Sequence, residues 1–301
     1  MSAMHRIVEC VPNFSEGRDL EKIEKLLAPF RGREGVKLLD FQRDADHNRL
    51  VVTVVGAPEP LAAAVLEAMA AAVALIDLRT HRGQHPRMGA VDVVPFIPVK
   101  NVTMAEAVAL AREVAAEAAR RLELPIFLYE ESASAPHRRN LADIRKGQFE
   151  GMAEKIRQPE WRPDFGPAAV HPTAGATAVG ARMPLIAYNV NLGTADLAVA
   201  EQIARRVRHL GGGLRFCKAL GIALTDRGIV QVSMNMTDYT RTALYRAFEL
   251  VRIEARRWGV PVVGSEIVGL VPLAALIDAA AYYLQLENFS PGQVLESRIW
   301  E

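Results

Sequence analysis

Val36-Lys-Leu-Leu-Asp-Phe41 and Leu50-Val-Val-Thr-Val-Val55 stand on either side of Arg43-Asp-Ala-Asp-His-Asn48. Both runs are short, apolar and rich in β-branched side chains, and the hexapeptide between them is made of turn formers. The three read as two antiparallel strands and their turn. Upstream, Ile7 to Val11 is a strand, and Ser15-Glu-Gly-Arg-Asp19 leads into a helix to about Phe30. Downstream, Pro60 stands near the start of a helix that runs to Leu75, where a missing N–H costs nothing. Val91 to Val99 closes the series. The order is βαββαβ. A helix, Met104 to Leu122, and a strand, Pro125 to Tyr129, extend it.

The second half repeats that order. Leu185 to Asn191 is a strand, and Thr194 is the expected N-cap of a helix from Asp196 to Leu210. Gly211-Gly-Gly213 stops it. Leu214 to Leu224 and Ile229 to Met236 form a hairpin turned by Thr225-Asp-Arg-Gly228. A helix, Arg241 to Trp258, and a strand, Pro261 to Ile267, follow, and Leu273 to Leu286 adds a last helix. The fold class predicted is α+β: two tandem ferredoxin-like (βαββαβ) subdomains, each a sheet packed with helices, with a cleft between them. The subdomains are 1–181 and 182–301. Pro159 to Ala181 is rich in Pro, Gly and Ala and reads as the inter-domain segment, a place that ligand sites favour.

A chain of 301 residues, half of them hydrophobic, is long enough for two cores. A net charge of +1 and 6% aromatics lack the basic field of a nucleic-acid binder, so no nucleic-acid partner is expected. Cys10 and Cys217 lie far apart in apolar runs, which reads as reduced thiols in the cytoplasm. Met1-Ser-Ala-Met-His-Arg6 lacks the apolar stretch of a signal peptide. Leu61 to Ile76 is apolar but carries Glu67 and is too short to span a bilayer; a core helix is predicted, with no membrane partner.

The densest chemistry is His81-Arg-Gly-Gln-His85-Pro-Arg-Met-Gly-Ala90-Val-Asp92. Two imidazoles titrate near neutral pH, two guanidiniums grip carboxylates, and Gly83 allows a close backbone approach. The i, i+4 histidines match metal-ligand spacing on a helix, but Gly83 and Pro86 disfavour a helix and no glutamate lies between them. No metal is expected, and general acid/base work is the best role for one histidine. Asp164-Phe-Gly-Pro-Ala-Ala-Val-His-Pro-Thr-Ala-Gly-Ala-Thr177 is a linker or a smooth backbone wall beside a flat ligand. In Val11-Pro-Asn-Phe-Ser-Glu-Gly17, Asn13 or Ser15 caps the next helix or meets a ligand. Asp46-His-Asn-Arg49 is a hairpin turn or a site wall. Glu266, in an apolar run, pairs with a buried arginine or serves a site.

Taken together, Glu9-Cys-Val-Pro-Asn-Phe-Ser-Glu-Gly17, the histidine-arginine motif, Asp164-Phe-Gly-Pro167, Gly175-Ala-Thr177 and Val263-Gly-Ser-Glu-Ile-Val-Gly-Leu-Val-Pro272 resemble the formiminotransferase family over nearly the whole chain. The resemblance implies transfer of the formimino group from N-formimino-L-glutamate to tetrahydrofolate, a co-substrate, giving 5-formimino-tetrahydrofolate and L-glutamate in histidine degradation. It carries the catalytic histidine onto His85. It carries folate binding onto Gly166, Pro167, Ala168, Ala169, Val170, His171, Pro172, Thr173, Ala174 and Gly175. Gln84 departs from animal members, which resemble His-Arg-Gly-Glu-His-Pro there. Ala174 stands where they have a tryptophan, so a pterin contact from that position is in doubt. No cyclodeaminase region follows, which reads as monofunctional. Arg49, Arg82 and Arg87 are candidate clamps for substrate carboxylates or members of structural salt bridges. Formyl transfer from 5-formyl-tetrahydrofolate and a non-catalytic folate-binding protein are the competing readings. Sheets with open faces and edges need cover, so a homodimer is expected.

Overall fold

In the computed structural model, which describes residues 6–299, hydrophobic periodicity sorts the chain into the elements it calls for. Met1 to His5, most of the stretch read above for a leader, lies outside the described residues. The protein is mixed α+β with two sheets, and the chain divides into two units between Arg182 and Met183.

The first unit runs β1 (Ile7–Cys10), β2 (Asn13–Phe14), α1 (Leu20–Leu27), β3 (Val36–Asp44), β4 (Arg49–Gly56), α2 (Pro58–Leu75), β5 (Val91–Lys100), α3 (Met104–Leu122), β6 (Ile126–Glu130), α4 (Leu141–Arg145), α5 (Gln148–Lys155) and β7 (Thr177–Ala181). β3 and β4 pair antiparallel from Val36↔Gly56 to Asp44↔Arg49, so the two runs quoted first form one hairpin. Strict alternation along β4 sends Leu50, Val52 and Val54 into the core and Arg49 to the other face. β4 also pairs with β1, and β1 with β5.

Helices α1, α2 and α3 contribute to the main core. On α2, Leu61, Ala64, Val65, Ala68, Met69 and Ala72 recur at helical spacing and are buried there. This helix is 18 residues long and passes a membrane test by length and composition, so the length argument against spanning fails. Its packing is what makes it a core helix. Thr103 and Glu106 close a capping box at the start of α3.

Pro159 to Ala181 is not an inter-domain linker. It ends in β7, buried along its length and parallel to both β5 and β6. Small residues there signal close packing. Gly166 (φ +84) and Gly175 (φ +74) lie so near the Leu124 and Met88 carbonyls that a Cβ would sit 2.1 Å from each oxygen. A second apolar cluster, including Val93, Phe127, Tyr129, Ile144 and Met152, forms on the opposite sheet face, where α4 and α5 add to it.

The second unit runs β8 (Ile186–Leu192), α6 (Leu197–Val207), β9 (Cys217–Leu224), β10 (Ile229–Met236), α7 (Leu244–Arg257), β11 (Val262–Val268), α8 (Leu273–Leu284) and α9 (Leu295–Ile299). Its four strands are antiparallel in the order β11-β8-β10-β9. Tyr188, Val190, Val230, Val232 and Met234 share a core with the buried stripes of α6 and α7. Thr194 is not the cap of α6. Asp196 is, accepting from the Ala198 N–H at 2.9 Å, because its carboxylate stands next to the orphan donors. The Thr194 hydroxyl oxygen instead accepts from the Asp196 N–H.

Candidate functional site

Asn48, at the end of the β3–β4 turn, ties three segments together. Its left-handed backbone (φ 50°) is one that asparagine tolerates. Its Oδ1 accepts from the Gly17 N–H at 2.9 Å, its Nδ2 donates to the Arg82 carbonyl at 3.0 Å, and its own carbonyl receives His81 Nε2 at 3.0 Å. Gly83 does bring backbone close, but to the hairpin: a Cβ there would lie 2.2 Å from the His47 carbonyl oxygen. Asn13 and Ser15 do not cap α1, which Asp19 caps through the Glu21 and Lys22 N–H groups. Ser15 Oγ donates to the Gly89 carbonyl at 2.7 Å, and Asn13 Oδ1 accepts from Arg49 Nε at 3.0 Å.

The two histidines of the motif have different environments. His81 is buried, and its Nδ1 accepts from Arg87 Nε at 3.3 Å, which leaves Nε2–H to donate to Asn48. Burial holds its pKa below the ordinary imidazole value. Both ring nitrogens are occupied, so His81 shapes the loop. His85 is half-buried, with its ring 6.2 Å from that of His47 in an edge-on arrangement. Burial first, then the guanidiniums of Arg49 and Arg145 and the His47 ring, push its pKa down to about 3. At neutral pH it is an uncharged imidazole.

The three arginines also separate. Arg87 is buried and bonds Glu150 of α5 with two nitrogens, at 2.8 and 2.6 Å, besides its bond to His81. Its fork is filled, so Arg87 is not a clamp for a substrate carboxylate; the salt-bridge reading holds for it. Arg49 bonds Asn13, and among the described residues no carboxylate comes within ion-pair distance of it. Burial lowers its pKa somewhat while Asp92 pulls it back, so it stays a cation. Arg82 is exposed, donates to the His81 and Arg79 carbonyls, and has no carboxylate within ion-pair distance among the described residues.

Arg145 and Asp92 complete the neighbourhood, paired at 2.6 Å, with Asp92 also accepting from the Met88 N–H at 2.7 Å. Sequence reading passed over Arg145 and Glu150, which lie more than fifty residues along the chain from their partners. Asn48 carried a signal, as an asparagine at the end of a hairpin turn.

A small cavity at His85 is lined by Ser15, His47, Asn48, Arg49 and Asp92 among others. An open groove of about 700 Å³ shares His81 and Arg87 with it and carries Arg79, Arg82, Phe149 and Val170. Of Gly166 to Gly175, Val170 reaches this groove. Ala174 is buried in the main core. His171 Nδ1 accepts from the Ala174 N–H at 3.0 Å and shapes the turn. Among the described residues no group of three His, Cys, Asp or Glu side chains gathers as a metal site. Among the described residues Glu266 has no arginine partner; its Oε1 accepts from Asn189 and Gln231.

Residues 7–182 match the model of the formiminotransferase domain, N-terminal subdomain, and residues 187–297 that of the formiminotransferase domain. A glutamate formimidoyltransferase of Streptococcus pyogenes serotype M1 is 52% identical over 98% of this chain and 99% of its own length. One of the same name from Thermoplasma acidophilum is 47% identical over 97% of both chains. A formimidoyltransferase-cyclodeaminase of Rattus norvegicus is 44% identical over 95% of this chain and 54% of its own length, so this chain spans about half of that protein.

Proposed function

This chain belongs to the formiminotransferase family, and from that premise we propose that it transfers the formimino group of N-formimino-L-glutamate to tetrahydrofolate, giving 5-formimino-tetrahydrofolate and L-glutamate. The observation that carries the catalytic reading is the neutral, half-buried His85 beside Arg49, a cation with no carboxylate within ion-pair distance among the described residues. N5 of the folate forms a bond to the amidine carbon, and the adduct's bond to the glutamate nitrogen then breaks. His85 takes the proton released at N5 and returns it to the departing nitrogen. A substrate carboxylate on Arg49 offsets part of the positive field and raises the proton affinity of His85 for the first step, and the low intrinsic affinity left by burial favours release of the proton in the second. Arg82, on the rim of the groove, suits the folate's glutamate end, and Val170 supports a folate role for its segment. Gly166, Ala174 and Gly175 serve that segment's shape. Holding both reactants in line supplies much of the acceleration.

The test is glutamate release from N-formimino-glutamate, with and without tetrahydrofolate. Release only in its presence is the expected result. Equal release without it would mean hydrolysis, and none at all would leave a binding protein. 5-Formyl-tetrahydrofolate with glutamate is the control for formyl transfer.

The finer structural readings go with this one. A ferredoxin-like topology is supported by the order fourth-first-third-second in the second sheet and by the pairings β3–β4, β4–β1 and β1–β5 in the first. Subdomains of 1–181 and 182–301 are supported by the division at Arg182. A cytoplasmic setting is supported by two free, buried thiols, Cys10 and Cys217. A homodimer is supported by exposed Leu276, Tyr282, Tyr283 and Leu284 on α8.

A further inference from the structure

Lys155, at the end of α5, is only 8% exposed, yet among the described residues no carboxylate lies within ion-pair distance of its ammonium. A buried lysine without an anion needs another use for its three donors. Its Nζ donates to the carbonyl oxygen of Asp143, to that of Ile144 at 2.7 Å and to that of Lys146 at 3.2 Å. It also lies 4.0 Å from the centre of the Trp161 ring, an attractive place for a cation. The three carbonyls belong to the last turn and C-cap of α4, where a helix has acceptors without donors. At five residues α4 is too short to hold itself together. The ammonium closes its end.

What α4 carries gives that clamp a consequence. Arg145 is its last residue and pairs with Asp92 Oδ2 at 2.6 Å, while Asp92 Oδ1 accepts from the Met88 N–H at 2.7 Å. Asp92 lines the cavity at His85. Nε of Arg145 is buried and has no hydrogen-bond partner among the described residues, so the aim of its guanidinium rests on the Asp92 pair and on the backbone of α4. The first turn of α5 reaches the same loop: the Phe149 N–H donates to the Arg87 carbonyl at 2.9 Å, and Glu150 bonds the Arg87 guanidinium. One helix thus holds the histidine-arginine loop at its start and α4 at its end.

We propose that Lys155 is a positioning residue for the transfer: by closing the end of α4 it aims Arg145 at Asp92 and so fixes the charges around His85. The inference rests on the role given to His85 above. Lys155 lines neither the cavity at His85 nor the groove, so it acts through Arg145. Burial pulls its pKa down to about 8, opposed by the Asp143 carboxylate and helped by Lys146. Its charge, and with it the clamp, is present below that pH and fades above it. His85 feels Arg49, Arg145 and the His47 ring, all of which lower its affinity for a proton. An Arg145 that swings away from Asp92 stops lowering that affinity, and it leaves a bare carboxylate beside the cavity, which raises it.

The experiment follows the His85 imidazole by proton NMR through a pH titration, in the full chain and in Lys155→Met, Arg145→Met and the double variant, with kcat and KM measured alongside. Lys155→Met and Arg145→Met should each raise the His85 midpoint by about one pH unit. The double variant should raise it no further than Arg145→Met does, because the two residues act in one line. In Lys155→Met kcat should fall by a larger factor than KM rises. In the unaltered chain kcat should fall as the pH passes about 8, and in Lys155→Arg, whose guanidinium stays charged, it should not. A lysine that only supported the fold would move the unfolding temperature and leave the His85 midpoint in place. If Lys155→Met does not fold, Lys155→Arg and the pH dependence of the unaltered chain decide the matter. A His85 midpoint unmoved in folded Lys155→Met overturns the inference. So do shifts that add in the double variant, and so does a fall above pH 8 that survives in Lys155→Arg. An unaltered chain that fails to release glutamate with tetrahydrofolate overturns the functional reading instead, and the NMR titration still tests the positioning.

Discussion

His85 and His81 stand four residues apart and differ in one physical respect: whether their nitrogens are already engaged. His81 lends one to Asn48 and the other to Arg87, whereas His85 stands in the field of Arg49 and Arg145. Substituting a general acid/base typically costs about a hundred- to ten-thousand-fold in rate, so His85→Ala should lose kcat on that scale and still bind tetrahydrofolate. His81→Ala should act on the unfolding temperature, with a smaller effect on kcat. Steady-state kinetics with calorimetry separates the two, and an active His85→Ala would end the mechanism. The pH dependence has a definite sign. The pKa of His85 is lowered, so the active neutral form persists as the pH falls, and the free-enzyme limb in kcat/KM belongs near 3, not at 6.5. A bound carboxylate on Arg49 should move the limb in kcat upward. A kcat/KM limb at the ordinary imidazole value would show that neither burial nor the guanidiniums act as described.

The segment before β7 shows how an element can hide in plain composition. Its Pro, Gly and Ala content matched a linker, yet two of its glycines are wedged against carbonyls with positive φ and its end is a buried strand. Gly166→Leu and Gly175→Leu should therefore fail by unfolding, not by selective loss of folate affinity. Strain and overpacking together put the cost at about 3 kcal/mol or more per site. Normal thermal stability with weakened folate binding would restore the simpler view of that segment as a ligand wall. The start of α6 gives a milder test. Asp196→Ala should cost about 1 kcal/mol as a lost cap, and Thr194→Ala less, measured by denaturant unfolding.

For the whole molecule, α8 leaves Tyr282, Tyr283 and Leu284 exposed on the second unit, with Tyr282 stacked on Tyr245 at 4.1 Å. A homodimer that covers this surface predicts a doubled mass by sedimentation at micromolar concentration and a monomer for Leu284→Arg. A monomeric unaltered chain would remove that expectation and leave the transfer chemistry untouched.

The order of strands and helices was legible because each rests on neighbours in the chain. Period-two alternation in Leu50 to Val55, helical spacing in α2 and turn residues at Arg43 to Asn48 act over a few residues. The histidine-arginine motif was legible for a similar reason, since its groups are crowded into one loop. Partnership was not. Arg87 is filled by Glu150, Asp92 is held by Arg145, and Arg49 meets no carboxylate within ion-pair distance among the described residues. Which guanidinium remains open to a substrate depends on groups more than fifty residues away that folding brings within 3 Å. The amide network on Glu266 was hidden in the same way. Asn189, Gln231 and Glu266 lie on three strands and become one network only when those strands pair. Local patterns carry information about local conformation, whereas charge compensation and hydrogen-bond capacity are properties of surroundings that exist only in the folded chain.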